Sequence, residues 1–258
     1  MDLTKYLRKI LLNKYLPVPS DTEIFTGGDA QNFLHIGVAV LADLIQNAGL
    51  RENSRVIEIG SGIGRVAIPM TQWLEGGHYT GFEIVPAGVE WCRRHVSSKY
   101  PNFQFEHIDV YNECYNPTGS KNLQDFALHA SFAQYDVAVF CSVFTHLIAI
   151  DAETYLSLMA KHVAQGGYLW STWFLMDSEA RDSVKAGKTS LSFILRDEKT
   201  FHLDEKGVGT AAVAFDADYL RSLFWENGFS IELEQKGIWC ERGVNNGGYQ
   251  DTFVGRRL

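Results

Sequence analysis

Residues 56–65 read VIEIGSGIGR. Val56, Ile57 and Ile59 make a β-branched run suited to a buried strand, and Gly60, Gly62 and Gly64 follow at once. The next residues, RVAIPMTQWLE, have helical spacing that closes at Gly76 and Gly77. Strand, glycine turn and helix in that order open a βαβ unit, the building block of a parallel sheet. In such a sheet the ligand lies beyond the carboxyl ends of the strands, and the first turn is where backbone must come closest to it. Glycine suits that turn because it tolerates positive φ and has no Cβ to meet a bound nucleoside.

The alternation continues outward from this stretch. Strands are expected at 55–60, 78–84 (HYTGFEI), 102–110 (NFQFEHIDV), 135–142 (YDVAVFCS) and 166–174 (GGYLWSTWF). Between them, 86–100 opens with a proline in its first turn and 152–164 has helical spacing. Upstream, NFLHIGVAVLADLIQNAGL is expected to be a helix ending near Gly49, after a loop marked by prolines and Gly27-Gly28. Residues 175–214 break the rhythm, with a hairpin expected through Asp197-Glu198. The helix DADYLRSLFWENGF then ends at Gly228, and two strands, SIELEQKGIW and QDTFVGRR, close the chain. Too little sequence separates these last strands for a crossover, so they are expected to pair antiparallel. The result is an α/β chain with seven strands, mostly parallel, and helices on both faces. We expect one domain: a helical cap at 1–50, a ligand-binding core at 51–174, an insertion at 175–214 able to act as a substrate lid, and a helix-strand-strand completion at 215–258.

Bulk properties set limits. At 258 residues, 46% hydrophobic and 21% charged, the chain can bury a sizeable core. Its net charge of -8 argues against a surface built to neutralise phosphates, so no nucleic-acid partner is expected. Cys92, Cys114, Cys141 and Cys240 form no CxxC pair, which points to reduced thiols rather than a zinc site. No run of about 18 apolar residues and no cleavable apolar leader is evident, so a cytoplasmic protein is expected. In residues 1–16, Leu3, Tyr6, Leu7, Ile10 and Leu11 share one helical stripe. That stripe suits docking on the protein itself or contact with a membrane surface.

The glycine spacing separates two ligand classes. A dinucleotide fingerprint is G-x-G-x-x-G, with the pyrophosphate on the helix N-terminus. This chain has G-x-G-x-G, with Glu58 inside the preceding strand. A carboxylate there is a poor neighbour for pyrophosphate and a good one for an ammonium group, which favours a nucleoside with an amino-acid tail. Glu83, about 20 residues past the last glycine, is placed to accept hydrogen bonds from both ribose hydroxyls.

VIEIGSGIGR, GFEI and EHIDV together resemble the class I S-adenosylmethionine-dependent methyltransferases, and the likeness runs from about Arg55 to Leu258. It implies a Rossmann-like sheet with an antiparallel last strand and S-adenosyl-L-methionine as cofactor. Gly60, Ser61, Gly62 and Gly64 would then line the methionine portion, Glu58 would orient its amino-acid end and Glu83 would hold the ribose. Asp109 would bond the adenine amino group, Ile84 and Val110 would flank the ring, and Ser142 would contribute from the end of the fourth strand. Taken singly, Asp109 also reads as a solvated loop carboxylate and Ile84 as ordinary core. SVFTHL, GIWCERG and QDTFVGRR resemble methyltransferases of bacterial polysaccharide, glycolipid and natural-product pathways. That narrower likeness implies O-methylation of a sugar, other glycan or small hydroxylated molecule.

A sulfonium cofactor already carries an activated methyl group, so the protein must mainly position the reactants. A hydroxyl nucleophile also needs a base. His146, after the fourth strand, is the candidate, because imidazole accepts a proton near neutral pH. Its plainer alternative is packing at the start of the next helix. Asp151 is the candidate to orient His146 or replace it, and His202 joins them only if the insertion folds over the substrate. No metal is expected, since the fourth strand ends in Cys141-Ser142 without a carboxylate pair. Trp170, Trp173, Phe174, Trp225 and Trp239 offer faces for a sugar ring, yet alternation along YLWSTWF sends at least half of them into the core. N-methylation of a small molecule, a nicotinamide-dependent oxidoreductase and a non-catalytic cofactor- or partner-binding protein remain as alternatives.

Overall fold

Strand β1 (Arg55–Ile59) pairs in parallel with β2 (His78–Glu83) on one side and β4 (Tyr135–Phe140) on the other, so its apolar run is covered on both flanks. β3 (Phe103–His107) extends β2 in parallel. β5 (Val163–Trp173), β10 (Phe229–Gln235) and β11 (Asp251–Arg257) complete a seven-stranded sheet of order β10-β11-β5-β4-β1-β2-β3. β11 runs antiparallel to both β5 and β10, as expected, although the connection between the last two strands, residues 236–250, is longer than the sequence pattern suggested. The computed structural model describes residues 16–27, 29–128, 134–189, 191–203, 211–242 and 248–258. The amphipathic stripe expected from Leu3, Tyr6, Leu7, Ile10 and Leu11 lies outside them. No helix among the described residues is long and apolar enough to cross a membrane.

The chain divides into two compact units, Met1–Ile108 with Tyr135–Val139 and Asp109–Gln134 with Phe140–Leu258. In the first, helix α1 (Ala30–Asn47) starts at Asp29, whose carboxylate accepts from the Asn32 N–H, and buries Phe33, Gly37, Val40, Leu41 and Leu44 along one stripe. The helix expected after the glycine turn is only Ala67–Met70 (α2). Beyond Pro69 the bonds tighten, with Gln72 N–H donating to Pro69 O and Trp73 N–H to Met70 O. Pro69 has no N–H for the Arg65 carbonyl, and α1 comes close to that carbonyl: a Cβ on Gly37 would lie 2.2 Å from Arg65 O. Helix α3 (Pro86–Cys92) continues as a π-helical turn, Arg93–Ser97, where one helix to residue 100 was expected.

In the second unit, helix α4 (Ala149–His162) passes directly into β5. The insertion forms its own sheet with order β6-β9-β8-β7, from β6 (Leu175–Met176), β7 (Phe193–Leu195), β8 (Thr200–Leu203) and β9 (Val213–Asp216). The β7–β8 hairpin turns at Asp197, whose carboxylate accepts from the Lys199 and Thr200 N–H groups. Helix α5 (Ser178–Lys185), within a stretch expected only to be polar, starts at the Asp177 cap, and α6 (Ala217–Glu226) starts at the Asp216 cap. The core is aromatic: Phe144 stacks on Trp173 at 3.9 Å between ring centres and on Phe140 at 4.6 Å. Trp170, Trp173, Phe174 and Trp239 are all buried in this way, so they are core rather than faces for a sugar, and only Trp225 is exposed, at 68%.

Candidate functional site

In the first unit the residues after β1 build a cradle of backbone. Gly60, Gly62 and Gly64 all have positive φ, and the Gly60 and Ser61 N–H groups donate to Phe82 O at the end of β2. Glu83 then ties the turn shut. Its Oε2 accepts from the Gly62 N–H at 2.6 Å, and its Oε1 accepts from the Ile84 and Val85 N–H groups, each at 2.8 Å. Burial pushes the Glu83 carboxyl above the usual carboxylate range, while these three N–H bonds pull it back. Glu83 thus ends the second strand, one residue earlier than expected, and staples it to the glycine turn.

Glu58 is buried deeper. Its carboxyl accepts the Tyr79 hydroxyl proton, and Tyr79 stacks on Phe103 at 5.1 Å. Burial raises the Glu58 pKa to about 8, and the Glu83 charge adds to the rise. Ser61 is 2% exposed, and its Oγ has no hydrogen-bond partner among the described residues. A buried hydroxyl without a partner in a glycine turn is what a polar ligand would complete, so the residues present fit a nucleoside with a polar tail.

One covering element was not legible in the sequence. Arg65, directly after Gly64, uses one guanidinium nitrogen to donate to Thr26 O, Thr26 Oγ1 and Gly27 O at 2.5, 2.7 and 2.8 Å. Residues 20–27 are thereby strapped over the turn: a Cβ on Gly62 would lie 2.8 Å from Thr26 Cγ2, and one on Gly88 would lie 3.0 Å from the Phe25 ring. Trp91 Nε1 donates to Glu23 and fixes the other end of the strap. The nearest sequence signal was the Gly27-Gly28 pair, which reads only as a loop.

In the second unit, Asp109 and Val110 follow β3 rather than end it. The Asp109 carboxylate accepts from Ser120 Oγ, and Val110 bridges to Lys121. Ser142 has φ of +59°, left-handed backbone at a residue with a Cβ. Its N–H donates to Thr172 Oγ1 at 2.8 Å and its hydroxyl donates to Gln250 Oε1 at 2.9 Å, which hold that conformation in place.

His146 closes a short 3₁₀ turn, Phe144–His146, and its ring meets Tyr115 edge-on at 5.4 Å. Asp151 lies in the first turn of α4, and its Oδ1 accepts from Gln124 Nε2 at 2.8 Å. Burial raises the Asp151 pKa and the Gln124 bond lowers it. Both residues line one cleft of about 430 Å³, together with Tyr111, Asn112, Glu113, Asn122, Leu123, Gln124, Ile148 and Ile150. Asp109, Val110, Ser142 and His202 do not line it; the His202 ring nitrogen instead lies 3.3 Å from Thr200 Oγ1. The cleft residues from 111 to 124 had no periodic signal to mark them. Among the described residues, no group of three or more His, Cys, Asp or Glu side chains is placed to hold a metal ion.

A family model described as a methyltransferase domain matches residues 33–234. Three solved structures share the fold. Magnesium protoporphyrin IX methyltransferase from Synechocystis PCC 6803 with bound SAH is 16% identical, over 99% of this chain and 94% of that one, with a TM-score of 0.56. A S-adenosylmethionine-dependent methyltransferase from Clostridium acetobutylicum ATCC 824 is 9% identical, over 86% and 90%, with a TM-score of 0.56. A glycopeptide N-methyltransferase complexed with sinefungin is 13% identical, over 86% and 87%, with a TM-score of 0.54.

Proposed function

The chain belongs to the methyltransferase-domain family, and from that premise we propose that it O-methylates a sugar, glycolipid or other small hydroxylated molecule, with S-adenosylmethionine as methyl donor and His146 as base. When bound, this cofactor supplies a methyl group already activated on a sulfonium. The glycine turn with Ser61 would hold its methionine portion, Glu83 its ribose, and Asp109, Ile84 and Val110 its adenine. Glu58, expected from the sequence to meet the ammonium, is buried, bonded to Tyr79 and neutral below about pH 8, so it would support the turn from beneath instead, and Ser142 would add a contact from the end of the fourth strand. The observation that carries the acceptor reading is the cleft of the second unit, whose lining includes the His146 imidazole and the Asp151 carboxylate. In this role His146 takes the proton of the acceptor hydroxyl on a ring nitrogen, and Asp151 steadies the resulting charge.

Two further features support the reading. Lys199, in the hairpin of the insertion, pairs at 2.7 Å with Glu153, two residues past Asp151 on α4, which suits a lid role for 175–214. All four cysteines are free, which suits a reducing cytoplasmic setting.

The test is transfer of a labelled methyl group to hydroxylated acceptors and to amines, run on the parent and on His146→Asn. We expect His146→Asn to lower kcat on the hydroxyl acceptor by about 10²–10⁴-fold with S-adenosylhomocysteine affinity unchanged. An unaltered kcat would remove the base assignment. A second reading, N-methylation of a small molecule, is favoured by the two carboxylates of the cleft, Glu113 and Asp151. An amine presented unprotonated at high pH needs no base, so there the variant would keep its rate.

A further inference from the structure

We infer that the acceptor is a polyhydroxylated ring carrying a protonated amine, an amino sugar in chemical class, recognised by the unspent acceptor groups of the second unit's cleft; this rests on the reading of that cleft as the acceptor site. Among the described residues, Asp151 Oδ2 and the whole Glu113 carboxylate have no partner, and Asp151 Oδ1 has only Gln124. Gln124 Oε1 and the Asn122 amide are equally unengaged. Among the described residues no lysine or arginine lines the cleft, so His146 is the one side chain there able to answer these carboxylates with a positive charge.

Such a surface favours ligands rich in donors. The hydroxyls of a sugar would donate to Gln124 Oε1 and Asn122 Oδ1, and an ammonium would pair with Asp151 or Glu113 by a charge-assisted bond. A uronate or sugar phosphate would meet two like charges and no lysine or arginine, and is disfavoured for the reason that the amine is favoured. The rim completes the match. Tyr111, Ile148 and Ile150 are 52%, 40% and 49% exposed around the opening, and present flat and branched apolar surface to the C–H face of a pyranose.

The experiment measures binding of three matched probes to the full chain saturated with S-adenosylhomocysteine: the methyl glycosides of glucosamine, glucose and glucuronic acid, followed by ligand-observed NMR. We expect the amino sugar to bind tightest and the uronide weakest, about tenfold or more apart. We also expect the ranking to collapse in Glu113→Gln or Asp151→Asn with the melting temperature kept. Equal binding of all three, preference for the uronide, no binding of any, or a ranking that survives in both variants would each overturn the inference. The acceptor reading of the cleft is judged separately. It survives these outcomes if Tyr111→Ala weakens whichever glycoside binds, or if labelled methyl transfer is lost in His146→Asn.

Discussion

At Glu58 a carboxyl is held where water cannot reach it, with a tyrosine hydroxyl as its hydrogen-bond donor. The folded protein keeps that proton up to a pH of about 8, whereas the unfolded chain releases it near the ordinary value of 4.5. The group is raised in the folded state, so its contribution to stability is complete below about 4.5 and is lost as the pH climbs to about 8. Glu58→Gln preserves an oxygen acceptor for Tyr79 and cannot ionise. We therefore expect the parent to lose more unfolding free energy than the variant between pH 5 and pH 8, read from denaturant titrations. Parallel curves would mean that Glu58 does not carry the proton. Glu83, also buried, is the contrasting case, because its charge is held by three backbone N–H groups rather than by one hydroxyl.

The strap of residues 20–27 is the element whose contribution is easiest to isolate. Three acceptors on Thr26 and Gly27 share the two hydrogens of one arginine nitrogen, and a hydrogen bond to a charged donor is worth about 1.5–3 kcal/mol. Arg65→Met keeps much of the aliphatic stem and removes the donors. We expect faster amide exchange confined to 20–27 and S-adenosylhomocysteine affinity weakened by about tenfold, which corresponds to about 1.4 kcal/mol. If exchange rises while affinity holds, the strap covers the turn without helping to form the site. The elements also show where pattern reading stops. The Asp197 hairpin and the antiparallel ending obey short-range rules and were expected, whereas α5 went unseen because a short polar helix has little apolar stripe to announce it.

At the scale of the whole chain, one buried ion pair in the second unit ties distant segments together. Arg242 and Asp251 are both without side-chain exposure and bonded to each other. Asp251 also accepts from the N–H groups of Leu175 and Gly237 and from Trp239 Nε1, each at 2.7 Å. One carboxylate thus gathers the start of β6, the end of the β10 segment and the start of β11. Removing its charge leaves the buried guanidinium with only the Asp177 carboxylate, at 3.2 Å, to answer it, a cost of up to about 3–5 kcal/mol. Asp251→Asn should lower the melting temperature by that measure in calorimetry. A melting temperature within error of the parent would show the pair to be dispensable.

By itself the sequence determined the strand-turn-helix unit at VIEIGSGIGR, the seven-stranded, mostly parallel sheet with its antiparallel ending, and the helix start at Asp216. Each of these follows from alternation, turn chemistry or capping, which act between residues a few positions apart. Only the tertiary structure decided that Tyr79 holds Glu58, that Thr26 lies over Gly62, and that Tyr111 to Gln124 share a cleft with His146 and Asp151. Those arrangements join residues separated by 20 or more positions, for example the 39 between Thr26 and Arg65. No local preference encodes them; they form when the burial of distant apolar faces brings their polar neighbours within hydrogen-bond range.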